Sequence, residues 1–233
     1  MSAGTGVVAR IGAAGATGGA DTAPGRVAAA GRALAAGHPV LVDDDVAGSG
    51  GTLVVAAERC TATTMAFLVQ VSSGLVYVAM TPARLDELRI PPLTARHCDP
   101  SPSAVAVSVD LRTGVTTGIS AKDRAGTVRA LGDPTSRPGD FVRPGHVLPV
   151  RARSGGVLEE PGPPEAALDL CAAAGVQPAA ALATAVTDDG EVLGRGGLAA
   201  FARRHGLVLV RISEIIDWRR RESSVRPGGA VAG

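Results

Sequence analysis

Aromatic side chains are nearly missing from this chain. Of 233 residues, one is Trp, one is Tyr and three are Phe, or 2% in all. A core without aromatic bulk has to be filled by Ala, Val and Leu, and the 45% apolar content allows one large domain or two small ones. Cysteine is also scarce. Cys60, Cys98 and Cys171 are far apart and odd in number, which argues against a disulfide framework and for free thiols in a reducing cytosol. Charge of either sign is not in excess: 23 Lys and Arg against 22 Asp and Glu leave +1. Neither nucleic acid nor an anionic membrane is therefore expected as a partner. No apolar run approaches the roughly 20 residues of a membrane span. The N-terminus lacks the basic-then-apolar layout of a secretory signal. Neither G-x-G-x-x-G after a strand nor G-x-x-x-x-G-K-[ST] occurs, so no cofactor is expected.

What is present is an alternation of strand-like and helix-like segments. Residues 1–24 are Gly, Ala and Thr without period and read as a flexible leader, and 223–233 as a flexible tail. Between them, 25–222 reads as one domain. Arg26 to Ala36 has helical composition, with Gly37 placed as a C-terminal cap. Residues 39–42, 52–57 and 74–80 read as buried strands, and 104–111 as a single half-buried strand. Thr61 to Val71, 81–90, 120–131 and 163–175 read as helices, two of them opened by proline. A strand at 207–212 runs into a last helix. The Pro/Gly-rich stretch 133–145 reads as a surface loop. Strands and helices interleave without strict βαβ order, which predicts an α/β or α+β layered domain.

Two segments are unusual: "GVTTGISAKDRAGTVRAL" (114–131) and "RPGHVLPVRARSGGVLEEPGPPEAALDLCAAAG" (143–175). With "LVDDD" (41–45) and "TDDG" (187–190), they resemble the 3,4-dihydroxy-2-butanone 4-phosphate synthase family in one register from about Arg26 to Arg221. The resemblance implies a single domain with a mixed sheet flanked by helices. It also implies a homodimer with sites at the subunit interface, and a magnesium-assisted conversion of ribulose 5-phosphate to a four-carbon phosphate and formate. In that register Asp43 and Asp44 match the start of the family's acidic loop, with Asp45 standing for Glu. Val46, Ala47, Gly48, Gly50 and Thr52 replace its Asp, Arg, Glu, Glu and Asp. The metal-holding Glu falls on Gly48, the metal-holding His on Pro163, the phosphate-reading Arg on Glu160, a catalytic Glu on Thr184 and a Cys on Tyr77.

Magnesium needs oxygen ligands, and a phosphate needs cationic or N–H donors. These replacements therefore predict a repurposed, metal-independent enzyme of lyase, isomerase or cyclase type. Its substrate would be a non-phosphorylated, fairly apolar small molecule of specialised biosynthesis. The alternative is a non-catalytic relative that binds a small molecule or regulates a true synthase. Either way the protein is expected to be a cytoplasmic homodimer.

The polar groups left for acid–base work are Asp43, Asp44, Asp45, Tyr77, His146 and Glu165. Ser49, Thr52, His97, Ser103, Thr117, Ser120 and Asp123 are candidate substrate contacts, and no metal ligand set is expected. Several have ordinary structural readings as well. Asp43 to Asp45 can be a solvated turn, His146 a hydrogen-bonded turn residue, and Ser120 and Asp123 the capping of a helix. Glu165 can serve a helix N-terminus, where the dipole favours a carboxylate.

Overall fold

The computed structural model describes residues 22–93 and 104–225. Seven helices and eight strands are formed among them. The strands are β1 (Val40–Asp44), β2 (Gly50–Ala56), β3 (Tyr77–Met80), β4 (Ala104–Val105), β5 (Val109–Leu111), β6 (Phe141–Arg151), β7 (Ala179–Thr184) and β8 (Val208–Arg211). They make one mixed sheet in the order β4-β6-β3-β7-β2-β1-β8, with β5 paired to β6 off this path. β1 runs parallel to β8 and β3 parallel to β6, while the other pairs are antiparallel.

Side chains on a strand alternate between the two faces, and the core divides accordingly. Leu41, Leu53, Val55, Val78, Met80 and Ala181 point to one face. That face is covered by α2 (Ala62–Gln70), α3 (Pro82–Glu87), α4 (Ala121–Gly132) and α6 (Arg195–His205). Val40, Val42, Val54, Ala79, Ala180 and Leu182 point to the other, covered by α1 (Ala23–Ala35), α5 (Pro163–Ala174) and α7 (Ile212–Val225). Small residues let these layers close tightly. A Cβ at Gly51 would lie 2.4 Å from Leu198 Cδ2, so glycine in β2 is what admits α6.

Helix ends follow local rules. Thr61 forms a capping box with Thr64, and Thr81 and Ser120 accept the N–H groups of Arg84 and Asp123. Gly175 closes α5 in the left-handed conformation at φ 67°. Single-domain layering and the mixed sheet are as the sequence predicts.

Four local expectations need correction. α1 opens at Ala23, inside the expected leader. Residues 104–111 are not one strand: β4 and β5 pair with separate parts of β6, and the register shifts between Val109 and Asp110. Phe141–Gly145 belong to β6 and not to a surface loop. Pro144 and Gly145 read as breakers, but they sit where β6 departs from regular pairing with β5. α7 continues to Val225, past the start of the expected tail.

Leu41 is fully buried where β1 meets Gly51 and α6. Leu41→Ala is expected to lower the unfolding free energy by about 2–5 kcal/mol, read from urea denaturation with an unchanged slope.

Candidate functional site

β1 ends on two buried acids. Asp44 is 2% exposed, and its carboxylate accepts the N–H groups of Val46, Ala47 and Ser49 as well as the Ser49 hydroxyl. It therefore folds the turn back into β2. Asp45 accepts the N–H (2.9 Å) and hydroxyl of Ser213 and ties the same turn to α7. Asp43 differs. Its Oδ2 lies 3.7 Å from Arg195 Nε and 3.6 Å from Arg211 Nε, while its buried Oδ1 has no hydrogen-bond partner among the described residues. Burial pushes its carboxyl above the ordinary range. Arg195 and Arg211 oppose that shift, and the neighbouring Asp45 and Asp44 add to it. Thr52, opposite Val42 and Thr184, closes this end of the sheet. Gly48 is exposed in the left-handed region at φ 77°, with open space beside it.

A second cluster lies at the same sheet edge, on β6. His146 Nδ1 is 2.7 Å from Asp110 Oδ2, and the His146 N–H donates to Asp110 Oδ1 at 2.9 Å. Asp110 is buried, whereas the His146 side chain is 41% exposed. Beside them Asp123 Oδ2 accepts the Thr116 hydroxyl (2.7 Å) and the N–H groups of Thr116 and Gly118. Those bonds, led by the Thr116 hydroxyl, hold the Asp123 carboxyl below its ordinary range. Thr117 and Ser120 stay exposed on this loop.

Both clusters sit at the edge where β3 begins and β7 ends, but β6 and β1 are four strand spacings apart, roughly 19 Å. One chain thus brings Asp43, Asp44, Asp45, Ser49 and Thr52 together. Separately it brings together His146, Thr117, Ser120 and Asp123. Tyr77 stands at the start of β3 between them and packs toward the α1–α5 face. Glu165 is fully buried, and its Oε1 accepts the Arg153 N–H at 2.8 Å, fastening α5 to the chain after β6. His97 and Ser103 lie outside the described residues.

Asp110, Arg195 and Arg211 escape the reading of the sequence. The signal for Asp110 was an acid inside an apolar strand segment. The two arginines carry no local signal, because they reach Asp43 from α6 and β8. Among the described residues no group of three or more His, Cys, Asp or Glu side chains is placed to hold a metal ion. Pro163 opens α5, Gly48 has no side chain, and Asp44 and Asp45 are engaged as above, while Asp43 keeps its Oδ1 without a partner among the described residues. At Gly48 and Pro163 the chain offers no side-chain donor to a magnesium ion.

A carboxyl raised by burial makes the fold bind its proton more tightly than the unfolded chain does. Stability then falls as pH rises from the ordinary carboxylate value, about 3.9, through the raised one. Asp43→Asn is expected to remove that fall. Thermal melts of the two proteins should converge below about pH 4, with the variant the more stable at neutral pH. Curves parallel across the range would count against it.

The comparisons with known proteins bear directly on this arrangement. Residues 28–218 match the family model of 3,4-dihydroxy-2-butanone 4-phosphate synthase. The chain is 46% identical over 184 residues to the riboflavin biosynthesis protein RibBA of Mycobacterium tuberculosis. It is 45% identical over 182 residues to that of Salinispora arenicola. Each match covers 78% of this chain and 43% of the relative, so the chain spans less than half the length of these proteins. Among solved structures, the Candida albicans synthase superposes with a TM-score of 0.76 at 38% identity, covering 82% of this chain and 95% of that one. A synthase in complex with two magnesium ions gives 0.76 at 36% identity, covering 84% and 96%.

These relatives overturn the expectation of a repurposed enzyme of specialised biosynthesis, and with it that of metal independence. Substitutions at a few loop positions weigh less than identity sustained through the whole domain with relatives named for riboflavin biosynthesis. The layered fold, the match over most of the sequence and the sustained identity agree: the chain belongs to the 3,4-dihydroxy-2-butanone 4-phosphate synthase family.

Proposed function

We propose that this protein acts at the dihydroxybutanone phosphate step of riboflavin biosynthesis, as a synthase diverged in its acidic loop. The observation that carries the reading is the 46% identity across 78% of the chain. The "TTGISAKDR" and "RPGHVLPV" segments support it. The four-carbon phosphate and formate together hold the atoms of ribulose 5-phosphate, so the overall conversion needs no oxidant. Its first demand is proton removal beside a ketone. Asp110 Oδ2 lies 2.7 Å from the Nδ1 of His146; with Nδ1 as the donor, the other ring nitrogen keeps its lone pair as base. Thr117 and Ser120 present hydroxyls on the adjoining loop for the hydroxyls of a sugar. Placed acid–base groups of this kind are worth about 10²–10⁴ in rate. A buried carboxyl such as Asp43 is suited to return protons at the other cluster. The step assigned to His146 is carried by side chains alone.

The substrate is shorter than the roughly 19 Å between the two clusters. A homodimer that shares its sites between subunits closes that gap. Apolar side chains stand exposed at both clusters, Val46 at 50% and Ile119 at 58%, as a surface awaiting cover would have them. The thiols of Cys60 and Cys171 are free and buried, raised by burial to about 11 and about 12, in keeping with a cytoplasmic setting. No helix among the described residues is long and apolar enough to cross a membrane.

The protein is expected to release formate from ribulose 5-phosphate in the presence of magnesium, and His146→Ala to lower kcat by about 10²–10⁴-fold. Absence of formate from the folded wild-type protein would refute the reading. Divergence of the loop has its own test. Gly48→Glu combined with Pro163→His should lower the magnesium concentration needed for half-maximal turnover. An unchanged magnesium dependence would show that these positions do not set it. Light scattering at micromolar concentration should return twice the chain mass, with an interface of about 2,000 Å².

A further inference from the structure

We propose that Asp110 is a positioning residue that fixes the ring nitrogen carrying the proton of neutral His146, and that Gly118 and Asp123 hold Asp110 to that task. The inference rests on the reading of His146 as the base, but its geometry stands independently.

Asp110 grips His146 at two points, the backbone N–H through Oδ1 and ring Nδ1 through Oδ2. An ionised carboxylate only accepts hydrogen bonds, so Nδ1 must carry the proton. Nε2 is then left with its lone pair on a ring 41% exposed. In a free imidazole either nitrogen can carry the proton. The double contact removes that choice and the ring's freedom to flip.

Three features of the chain exist around this contact. First, the β5–β6 register shifts at Val109/Asp110, so that Val109 faces Val147 while Asp110 faces Val142. The residues between, His146 among them, bow out over the carboxylate. Second, that bow needs Gly145, where a Cβ would fall 2.0 Å from the Val109 carbonyl carbon and 2.2 Å from Asp110 N. Third, Gly118, in the left-handed region at φ 83°, lays its backbone directly on the pair. A Cβ there would come within 2.1 Å of Asp110 Oδ2 and 2.8 Å of His146 Nδ1. No side chain fits there.

Gly118 is in turn tethered. Its N–H donates to Asp123 Oδ2 at 3.2 Å, the same oxygen that takes the Thr116 hydroxyl, and Ser120 caps the helix from which Asp123 projects. Asp123 therefore reaches His146 through Gly118 and Asp110 without touching it. The clamp explains why an acid so well satisfied within its own loop sits beside an exposed histidine.

The test reads the tautomer directly. The chain has four histidines, which makes ¹⁵N NMR of the ring nitrogens assignable by substitution. At a pH where His146 is neutral, the wild type should show the proton on Nδ1. Asp110→Asn can turn its amide to donate to Nδ1, and should move the proton to Nε2. Gly118→Ala should give a mixture. Should Gly118→Ala fail to fold, Thr116→Val loosens the same tether by one hydroxyl and should shift the mixture in the same direction. Turnover should fall by about 10²-fold in kcat for Asp110→Asn with KM unchanged, since placement and not substrate affinity is altered. A wild-type proton on Nε2, or a tautomer unmoved by Asp110→Asn and by the loop variants, would overturn the proposal. The spectra need no substrate. A fixed Nδ1–H without formate release would uphold the clamp and refute the synthase reading, and the reverse result would do the opposite.

Discussion

The pairing of β7 with β2 and β3 holds the rest of the structure in place. β7 has alanine at four of its six positions, lies between two antiparallel neighbours and is buried along nearly its whole length. Residues so small let helices from both sides approach the sheet closely, which a chain with 2% aromatics requires to close its core. The same pairing sets the sheet edge that matters chemically. Thr184 lies opposite Thr52, and Leu182 opposite Tyr77, so the end of β7 aligns the starts of β2 and β3. β1 follows by its pairing with β2 and brings the aspartates to that edge. β6 follows by its pairing with β3 and brings His146.

The aspartate turn shows how one acidic run divides its labour. Three consecutive residues of like charge would repel, yet each meets different donors. Asp44 is consumed by the turn it builds and Asp45 by the first turn of α7. Asp43 keeps one oxygen toward two arginines and one without a partner in the described chain. Of the three, only Asp43 combines burial with a raised carboxyl and a spare acceptor. A reading by residue type cannot make this distinction, because all three are aspartates on adjacent positions.

The functional expectation failed for an instructive reason. It weighed the losses at Gly48, Pro163, Glu160 and Thr184 one by one and took their sum as the loss of the reaction. Sustained identity with relatives named for riboflavin biosynthesis corrects that sum. Yet the structure gives no cluster of metal ligands among the described residues. The family membership and the altered loop therefore stand together, and His146 on Asp110 is among the polar groups that remain placed for acid–base work.

Local physical chemistry fixed much in the sequence alone. Helix starts were legible at Thr61, Pro82, Ser120 and Pro163, since capping and proline geometry are decided within a few residues. The buried strands β1, β2 and β3 and the partly exposed β8 announced themselves by branched apolar runs. β7 lacked such a run, and α6 carries Gly196 and Gly197 in its first turn, so neither had a local signal. The site was legible only as a set of residue types, with His146, Asp123 and the aspartates among them. Their sorting belongs to the tertiary structure. Asp110 becomes the partner of His146 only through a register shift between two strands some thirty residues apart, and Arg195 and Arg211 meet Asp43 only because α6 and β8 close over β1. Hydrogen bonds and charge contacts between distant segments depend on where the sheet places them, and no local pattern of residues encodes that placement.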